Sequence, residues 1–314
     1  QLPEGGGSTR DLHRVTGERL SDQLRPRVLA PLGIDNLEWY RYQPGIDLGF
    51  SGVFTDLDAI ARFGQLHLDD GVWAGRRLLP DGWVAQASRP QISNAQRTEP
   101  DWSRGYGFQL WMCRHGYRGD GAFGQYMVVL PEQDAVIAFF SHTEPMQPFM
   151  DLIWDRLIPA FGAVGAPDHV GDAAVAERTS GLMLSTAAQR SGWNRPVGDA
   201  AVGAYVPRPG SSSHPSITEV EITDGQLVLH EGDLVTRVAL TSSWTDVTGA
   251  PIAASAAVGN DGAVTADLAM LASPHRMELT TDPASSTFVA TWSLAPLFGL
   301  GLEPVLALMR PPSS

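Results

Sequence analysis

The chain has 314 residues, of which 43% are hydrophobic and 18% charged, so it can bury a sizeable core in one or two domains. Its formal net charge of -13 excludes the basic surface that binding to nucleic acid or to an anionic membrane requires. All 22 basic residues are arginine, which excludes mechanisms that use a lysine of this chain as base, Schiff base or phosphate ligand. The single cysteine, Cys113, cannot form an intramolecular disulfide and is predicted to be a buried apolar side chain.

The two ends of the chain give little information about its compartment. Residues 1–15 have neither a basic segment nor an apolar one, so no signal peptide is visible, and export of a parent protein stays open. The apolar segment 294–309 is interrupted by Pro296, Glu303 and Pro304, and we expect no membrane span.

The first predicted element is a helix over residues 11–32. Leu12, Val15 and Leu20 begin a near-helical apolar spacing that continues to Val28. Pro26 and Pro31 limit its far end.

A second, better-defined helix is predicted after residue 55. Thr55 is the expected N-cap, with Asp58 three residues on, and Gly71 is the expected stop. A short helix is expected to start from Pro80 and Asp81.

Three strands are predicted next, over 104–112, 124–131 and 135–141, followed by a helical segment at 146–161. Strands this close in sequence favour antiparallel pairing, and the helices around them would cover the sheet. This pattern predicts an α+β domain over residues 1–163.

The composition changes twice in the second half of the chain. Residues 164–195 are rich in Ala, Gly and Ser and predict a linker with a packing helix. From 196 to 314, apolar alternation around Asp-Gly and Asn-Asp-Gly turns predicts an all-β module, a small antiparallel barrel or sandwich.

Most recognised catalytic motifs are missing. The eight histidines stand singly, and no phosphate-binding or dinucleotide-binding glycine motif occurs, so we predict no metal site and no cofactor. The "GFSGV" segment around Ser51 lacks the last glycine of a nucleophile elbow. The "RGD" at 118–120 is too short to indicate an adhesion motif.

The segment "RGDGAFGQY" at 118–126 places three glycines directly before an apolar strand. Such a pattern indicates either a kinked edge strand or a strand whose backbone a ligand approaches closely. Both interpretations predict that Gly119–Gly121 lie at the exposed edge of a sheet.

Several segments, taken together and in order, carry a family resemblance. They are Tyr106-Gly107-Phe108, Gly119-Asp120-Gly121, Phe123-Gly124-Gln125-Tyr126, and the segments 15–34 and 49–71. Over residues 12–161 the chain resembles the serine β-lactamase-related hydrolases, which include class C β-lactamases, DD-peptidases and esterases. The module after 195 is similar to the lipocalin-like domains appended to several members.

The resemblance implies a fold and a chemistry. The fold is α+β: part of a β-lactamase/DD-peptidase-like antiparallel sheet with flanking helices, followed by a small all-β barrel-like domain. The activity is hydrolysis of an ester, an amide or a D-amino-acid peptide through an acyl-enzyme, with a small-molecule or peptide substrate.

The resemblance also implies site residues. The oxyanion strand would be Gly119, Asp120, Gly121 and Ala122, with the Ala122 N–H as donor. Substrate-binding side chains would be Tyr106, Arg118, Phe123 and Gln125. Position 119 lacks the cation of the family's third motif, so no β-lactam specificity is implied.

The family's nucleophile and proton-transfer motifs, Ser-x-x-Lys and Tyr-x-Asn, do not occur in this sequence. We therefore expect the chain alone to be inactive. The start "QLPEGGGST" favours the C-terminal portion of a longer hydrolase, and the alternative is a non-catalytic binding or structural protein. The oligomeric state cannot be deduced from the sequence.

Overall fold

The chain divides into two compact units, with the boundary after Gly162. The computed structural model describes residues 7–43, 46–162, 168–210, 216–297 and 301–302. The predicted features at the very start of the chain, and most of the apolar segment 294–309, lie outside these residues. In the described part, no helix is both long and apolar enough to cross a bilayer.

The first unit begins with helices α1 (Gly7–Thr16) and α2 (Leu20–Leu24). The prediction of one helix over 11–32 is wrong, because Gly17 has φ +72° and turns the chain between them. A π-helical turn, Arg25–Leu29, follows α2 and contains Pro26. Proline has no N–H to donate, so it disturbs the regular bonding at that point.

Short strand pairs surround the next two helices. The strands are β1 (Glu38–Trp39), β2 (Arg41–Gln43), β3 (Ile46–Asp47), β4 (Val53–Phe54), β5 (Val72–Trp73) and β6 (Arg76–Arg77). The helices are α3 (Leu57–Leu68) and α4 (Trp83–Ala87).

The N-cap of α3 is Asp56, whose side chain accepts a 2.7 Å bond from the Ala59 N–H. The prediction of Thr55 as cap is therefore wrong by one residue. At the other end, the Gly71 N–H donates to the Leu66 carbonyl at 2.7 Å with φ +80°, which agrees with the predicted stop.

The main sheet of the first unit has four antiparallel strands in the order β10-β9-β8-β7. They are β7 (Trp111–Cys113), β8 (Gly116–Gly121), β9 (Gln125–Leu130) and β10 (Ala135–Phe139). Helix α5 (Met146–Leu152) follows and continues through a π-helical turn, Ile153–Leu157.

The predicted strand over 104–112 is wrong for most of its length. Gly105 and Gln109 have φ of +104° and +59°, values that bend the chain. Tyr106 makes isolated bridges to Ile92 and Trp111, and the strand itself begins at Trp111.

Both faces of the sheet are covered, and alternate residues of β9 are buried on opposite faces. Val128 and Leu130 pack with Met150 and Trp154 on one face, and Met127 and Val129 pack on the other face with side chains from α3 and α4. Gly64 lets α3 approach, since a Cβ there would be 2.6 Å from the Val136 Cγ1 atom. The expectation that this helix packs on the sheet is confirmed.

The second unit begins with helices α6 (His169–Ser180) and α7 (Ala187–Ser191). Its strands are β11 (Gly203–Pro207), β12 (Glu219–Thr223), β13 (Gln226–Glu231), β14 (Leu234–Ala239), β15 (Thr245–Asp246), β16 (Ile252–Val258), β17 (Val264–Met270), β18 (Arg276–Asp282) and β19 (Thr287–Trp292). The α7 helix packs on β16, where the Ala187 N–H donates to the Ser255 hydroxyl at 2.9 Å.

These strands form one nearly closed sheet-barrel of nine strands among the described residues, ordered β14-β13-β12-β11-β19-β18-β17-β16-β15. All neighbours are antiparallel except β11 and β19, which pair in parallel. Alternate side chains, such as Val220 and Leu229, point into a continuous apolar core. The α+β fold class is therefore confirmed, and the strands of the second unit follow its two helices as one nearly closed sheet.

Candidate active site

The glycine-rich segment forms the hairpin between β8 and β9. Gly121 pairs with Gln125, and Ala122, Phe123 and Gly124 make the connecting loop. Phe123 and Gly124 have φ of +65° and +83°. Only glycine suits position 124, because a Cβ there would collide with the Ser141 hydroxyl.

Hydrogen bonds from the chain after β10 hold this loop in place. The Ser141 hydroxyl donates to the Gly124 carbonyl at 2.8 Å, and the Thr143 N–H donates to the Phe123 carbonyl at 3.1 Å. The Gln125 side-chain amide donates to the Ser141 carbonyl at 2.6 Å. The backbone of the loop is therefore fixed by the segment after β10.

Ala122 is the exposed residue of this loop. Within the part of the chain that the structure describes, its N–H has no hydrogen-bond partner. A free N–H on a fixed loop can donate to a ligand oxygen without losing an internal bond.

Pairing on the other side of β8 stops short of the glycines. β7 pairs with Gly116–Arg118, whereas residues 119–121 pair with β9 alone among the described strands. Only residues 119–121 of β8 therefore form an edge, and they are half-buried. The residues of β8 before them lie between β7 and β9, inside the sheet.

The two glycines of this edge differ in what they require. A Cβ on Gly119 would make ordinary contacts with Met127, the nearest at 3.7 Å. A Cβ on Gly121 would lie 3.0 Å from the Cβ of Gln125, a tight approach. Only Gly121 is therefore sterically demanding, and its constraint comes from the partner strand.

Arg118 and Asp120 point together to one face of the sheet and form a buried ion pair. The Arg118 Nη2 and Asp120 Oδ2 atoms are 2.9 Å apart, and Arg118 has no exposed surface. Its guanidinium lies over the Trp102 ring at 4.3 Å and donates to the Asp101 carbonyl at 2.9 Å. The "RGD" segment is therefore not presented as an exposed motif.

The Asp120 carboxyl has a shifted acidity. Burial raises its pKa above the ordinary value, and the nearby Arg118 charge opposes this without cancelling it. A buried carboxylate beside a free strand edge is a typical functional-site environment.

Tyr106 belongs to the same cluster. Tyr106 bridges to Trp111, which pairs with Arg118 on β8. Burial raises the pKa of the Tyr106 phenol, and the charge of Asp120 adds to the effect. The Tyr106 hydroxyl donates to the Gln109 side chain at 3.0 Å, and its ring meets Trp111 edge-on at 4.9 Å. The structure therefore brings Tyr106, Arg118 and Asp120 together, with Phe123 and Gln125 in the adjoining hairpin.

One buried group near this site was missed by the sequence analysis. Asp101 is fully buried and accepts bonds from the side chains of Arg114, Gln147 and Trp154 at 2.7–3.2 Å. These partners are distant in sequence, so no local pattern indicates the network.

The comparison with known families decides the identity of this unit. Residues 9–160 match the family model described as Beta-lactamase. This segment is a Beta-lactamase family domain. The predicted resemblance over residues 12–161 is confirmed, whereas the lipocalin likeness of the second unit stays a prediction.

Two curated relatives are similar to part of this chain. One is a 6-aminohexanoate-dimer hydrolase of Paenarthrobacter ureafaciens, 30% identical over 139 residues, which are 41% of this chain and 35% of that protein. The other is penicillin-binding protein 4 of Amycolatopsis lactamdurans, 23% identical over 188 residues, or 49% of each chain. The chain thus aligns with half or less of each relative's length.

A solved structure is also similar, the octameric penicillin-binding protein homologue from Pyrococcus abyssi. It has 12% sequence identity and a TM-score of 0.36, and the match covers 86% of this chain and 60% of that one. A likeness at this level does not by itself support an inference about function.

Proposed function

We propose that the Beta-lactamase family domain supplies the oxyanion side of a serine hydrolase active site, in an enzyme that acts through an acyl-enzyme. The observation that carries this proposal is the exposed Ala122 N–H, which lacks an internal partner and is fixed at the end of β8. A preorganised N–H aimed at a developing oxyanion stabilises the tetrahedral intermediate of acyl transfer.

The residues around this N–H divide into two roles in the proposal. Tyr106, Asp120 and Phe123 orient the substrate beside the strand edge. Arg118 and Gln125 are positioning residues, because their polar groups bond to Asp120 and to the hairpin loop, respectively. This modifies the expectation that both contact the substrate.

The substrate class is an ester, an amide or a D-amino-acid peptide. The names of the two curated relatives, a hydrolase of an aminohexanoate dimer and a penicillin-binding protein, support carbonyl compounds of this kind. We further propose that the second unit is a lipocalin-like module that affects substrate size or stability and takes no part in the chemistry.

The 314-residue chain by itself has no lysine to activate a serine. We propose that it forms no acyl-enzyme with a fluorophosphonate or a β-lactam, as measured by intact mass. Stoichiometric labelling of one serine would contradict this, and Ser51 would be the first site to map.

A reconstitution tests the oxyanion assignment. A longer protein from the same locus, carrying Ser-x-x-Lys and Tyr-x-Asn, is expected to hydrolyse a chromogenic ester. In that protein Gly121→Val would press on Gln125 and displace the loop, and turnover should fall about a hundredfold or more. Gly119→Ala is the matched control, since its Cβ has room.

Each result has a distinct meaning. An active protein whose turnover is unchanged by Gly121→Val would show that the oxyanion donor lies elsewhere. An inactive, unlabelled protein that carries both motifs would favour the non-catalytic binding alternative.

A further inference from the structure

The β12–β13 hairpin of the second unit has a polar patch on the face opposite the apolar core. Its register places Glu219 directly across from His230, and Glu221 across from Val228. Val220, Ile222 and Leu229, between these positions, point into the core. The side chains of Glu219, Glu221 and His230 therefore share the outer face.

The potential ligand atoms of these three residues converge. One atom from each of Glu219, Glu221 and His230 can be chosen so that all lie within 4.8 Å of one another. The His230 Nε2 and Glu221 Oε1 atoms are 3.6 Å apart, too far for a good hydrogen bond. The Nε2 atom itself is buried and has no hydrogen-bond partner among the described residues.

The backbone holds this arrangement. The Thr218 N–H donates to the His230 carbonyl at 2.9 Å, and regular antiparallel pairing runs from Glu219 to the turn. The three side chains thus project from a paired, twisted sheet, a support that orients ligands better than a loop does.

We propose that Glu219, Glu221 and His230 bind a divalent transition-metal ion of the zinc class. Zinc takes imidazole nitrogen and carboxylate oxygen together, and three protein ligands leave a fourth position for water. Two carboxylates also supply the negative charge that the ion neutralises. Calcium and magnesium prefer oxygen ligands alone and suit this set less well.

Access for an ion is provided by partial exposure. The Glu221 and His230 side chains are 40% and 30% exposed, respectively, so solvent reaches the patch. A small rotation of the His230 ring would bring its buried Nε2 atom to an ion that keeps a bound water. The alternative is a simple Glu–His contact on the sheet surface, which requires a protonated histidine and contributes little. The proposal does not depend on the hydrolase function of the first unit.

Zinc binding by the full 314-residue chain tests the proposal. After treatment with a chelator, calorimetric titration with zinc chloride should show about one site per chain attributable to this patch. His230→Ala and Glu221→Gln should each weaken that site about tenfold or more. His169→Ala, at an exposed histidine on α6, is the matched control and should leave the site unchanged.

Cobalt provides a second measurement that does not depend on stability. Bound Co²⁺ should give a visible absorption band that zinc displaces and that magnesium or calcium in excess does not. The band should be lost in His230→Ala, whose fold is checked by circular dichroism. Absence of zinc binding, or zinc binding and a cobalt band that both persist in His230→Ala, would overturn the proposal.

Discussion

Two buried aspartates of the first unit, Asp101 and Asp120, lie in neighbouring environments and respond to them in opposite ways. Burial raises the pKa of both carboxyls. Around Asp101, hydrogen bonds from Arg114, Gln147 and Trp154 outweigh burial, and the net pKa is below the ordinary value. Around Asp120, Arg118 is the main opposing group, and the net pKa is raised.

The difference shows how the number of donors sets the role of a buried carboxyl. Asp101 is saturated with donors and ties the chain before β7 to α5, a structural task. Asp120 has Arg118 as its main partner, with a lesser hydrogen bond from the Trp102 side chain, and lies beside a strand edge that is open past Arg118. A carboxyl in that condition has acceptor capacity left for a ligand.

Removing Asp101 should have the largest effect on stability. Asp101→Ala leaves the donors of Arg114, Gln147 and Trp154 without their shared acceptor, at a cost of about 3–5 kcal/mol. Urea unfolding followed by tryptophan fluorescence measures it. Asp151→Ala is the control, because this more exposed partner of Arg114 should cost about 1 kcal/mol or less. Equal losses in the two variants would show that the burial of Asp101 and its three side-chain donors adds nothing to its contribution.

The hairpin after Asp120 should be the next most sensitive place. Gly124→Ala puts a Cβ against Ser141 in a left-handed backbone, and we expect a loss of about 1–3 kcal/mol. Gly119→Ala, on the same hairpin with room for a Cβ, should change stability by about 0.5 kcal/mol or less. The comparison fails if the two variants unfold at the same urea concentration.

The pH dependence of stability should have opposite signs for the two aspartates. Because the pKa of Asp101 is lowered by folding, its contribution is present above the ordinary aspartate pKa and is lost as pH falls through the folded value. Because that of Asp120 is raised, wild type should gain stability relative to Asp120→Asn as pH falls from above the raised pKa towards the ordinary one. Unfolding free energies of wild type, Asp101→Asn and Asp120→Asn should be measured from below the lowered pKa of Asp101 to above the raised pKa of Asp120. The difference between wild type and each variant then gives the slope of stability against pH for that aspartate, and slopes of the same sign would contradict the assignment.

The smallest effect is expected at Tyr106. Tyr106→Phe removes one exposed hydrogen bond to Gln109, so stability should fall by about 0.5 kcal/mol or less. A larger loss would place Tyr106 in the structural network with Asp101. In the reconstituted hydrolase the same variant should raise KM more than it lowers kcat, as expected for a group that orients substrate.

Local sequence patterns predicted the elements whose geometry is set by near neighbours. The β9–β10 hairpin follows from two apolar runs and the turn between them, and the α3 helix was found although Asp56, not Thr55, caps it. Strand β8 was not among the strands predicted from apolar runs, and only its glycine segment was expected at a sheet edge. The strand predicted over 104–112 failed because φ at Gly105 and Gln109 depends on where the chain packs. Asp101 was missed for a related reason, since its partners come from α5 and its extension.

The convergence of Glu219, Glu221 and His230 was within reach of the sequence. The Asp-Gly turn at 224–225 fixes a two-residue hairpin in which Thr223 pairs with Gln226. Counting outward from that pair places Glu219 opposite His230. Histidines considered one at a time gave no such signal, because the ligands of a site on a sheet come from different strands.

The parallel pairing of β11 with β19 has a consequence for how the second unit folds. The remaining ladders join strands that are neighbours in the chain, and their hairpins can form early and independently. The β11–β19 ladder joins the first strand of the unit to its last described strand. Bringing these two distant strands together therefore costs conformational entropy before any contact between them compensates the loss. During synthesis β11 therefore stays without this neighbour until β19 has emerged from the ribosome, and until then its unpaired edge can pair with a strand of another chain.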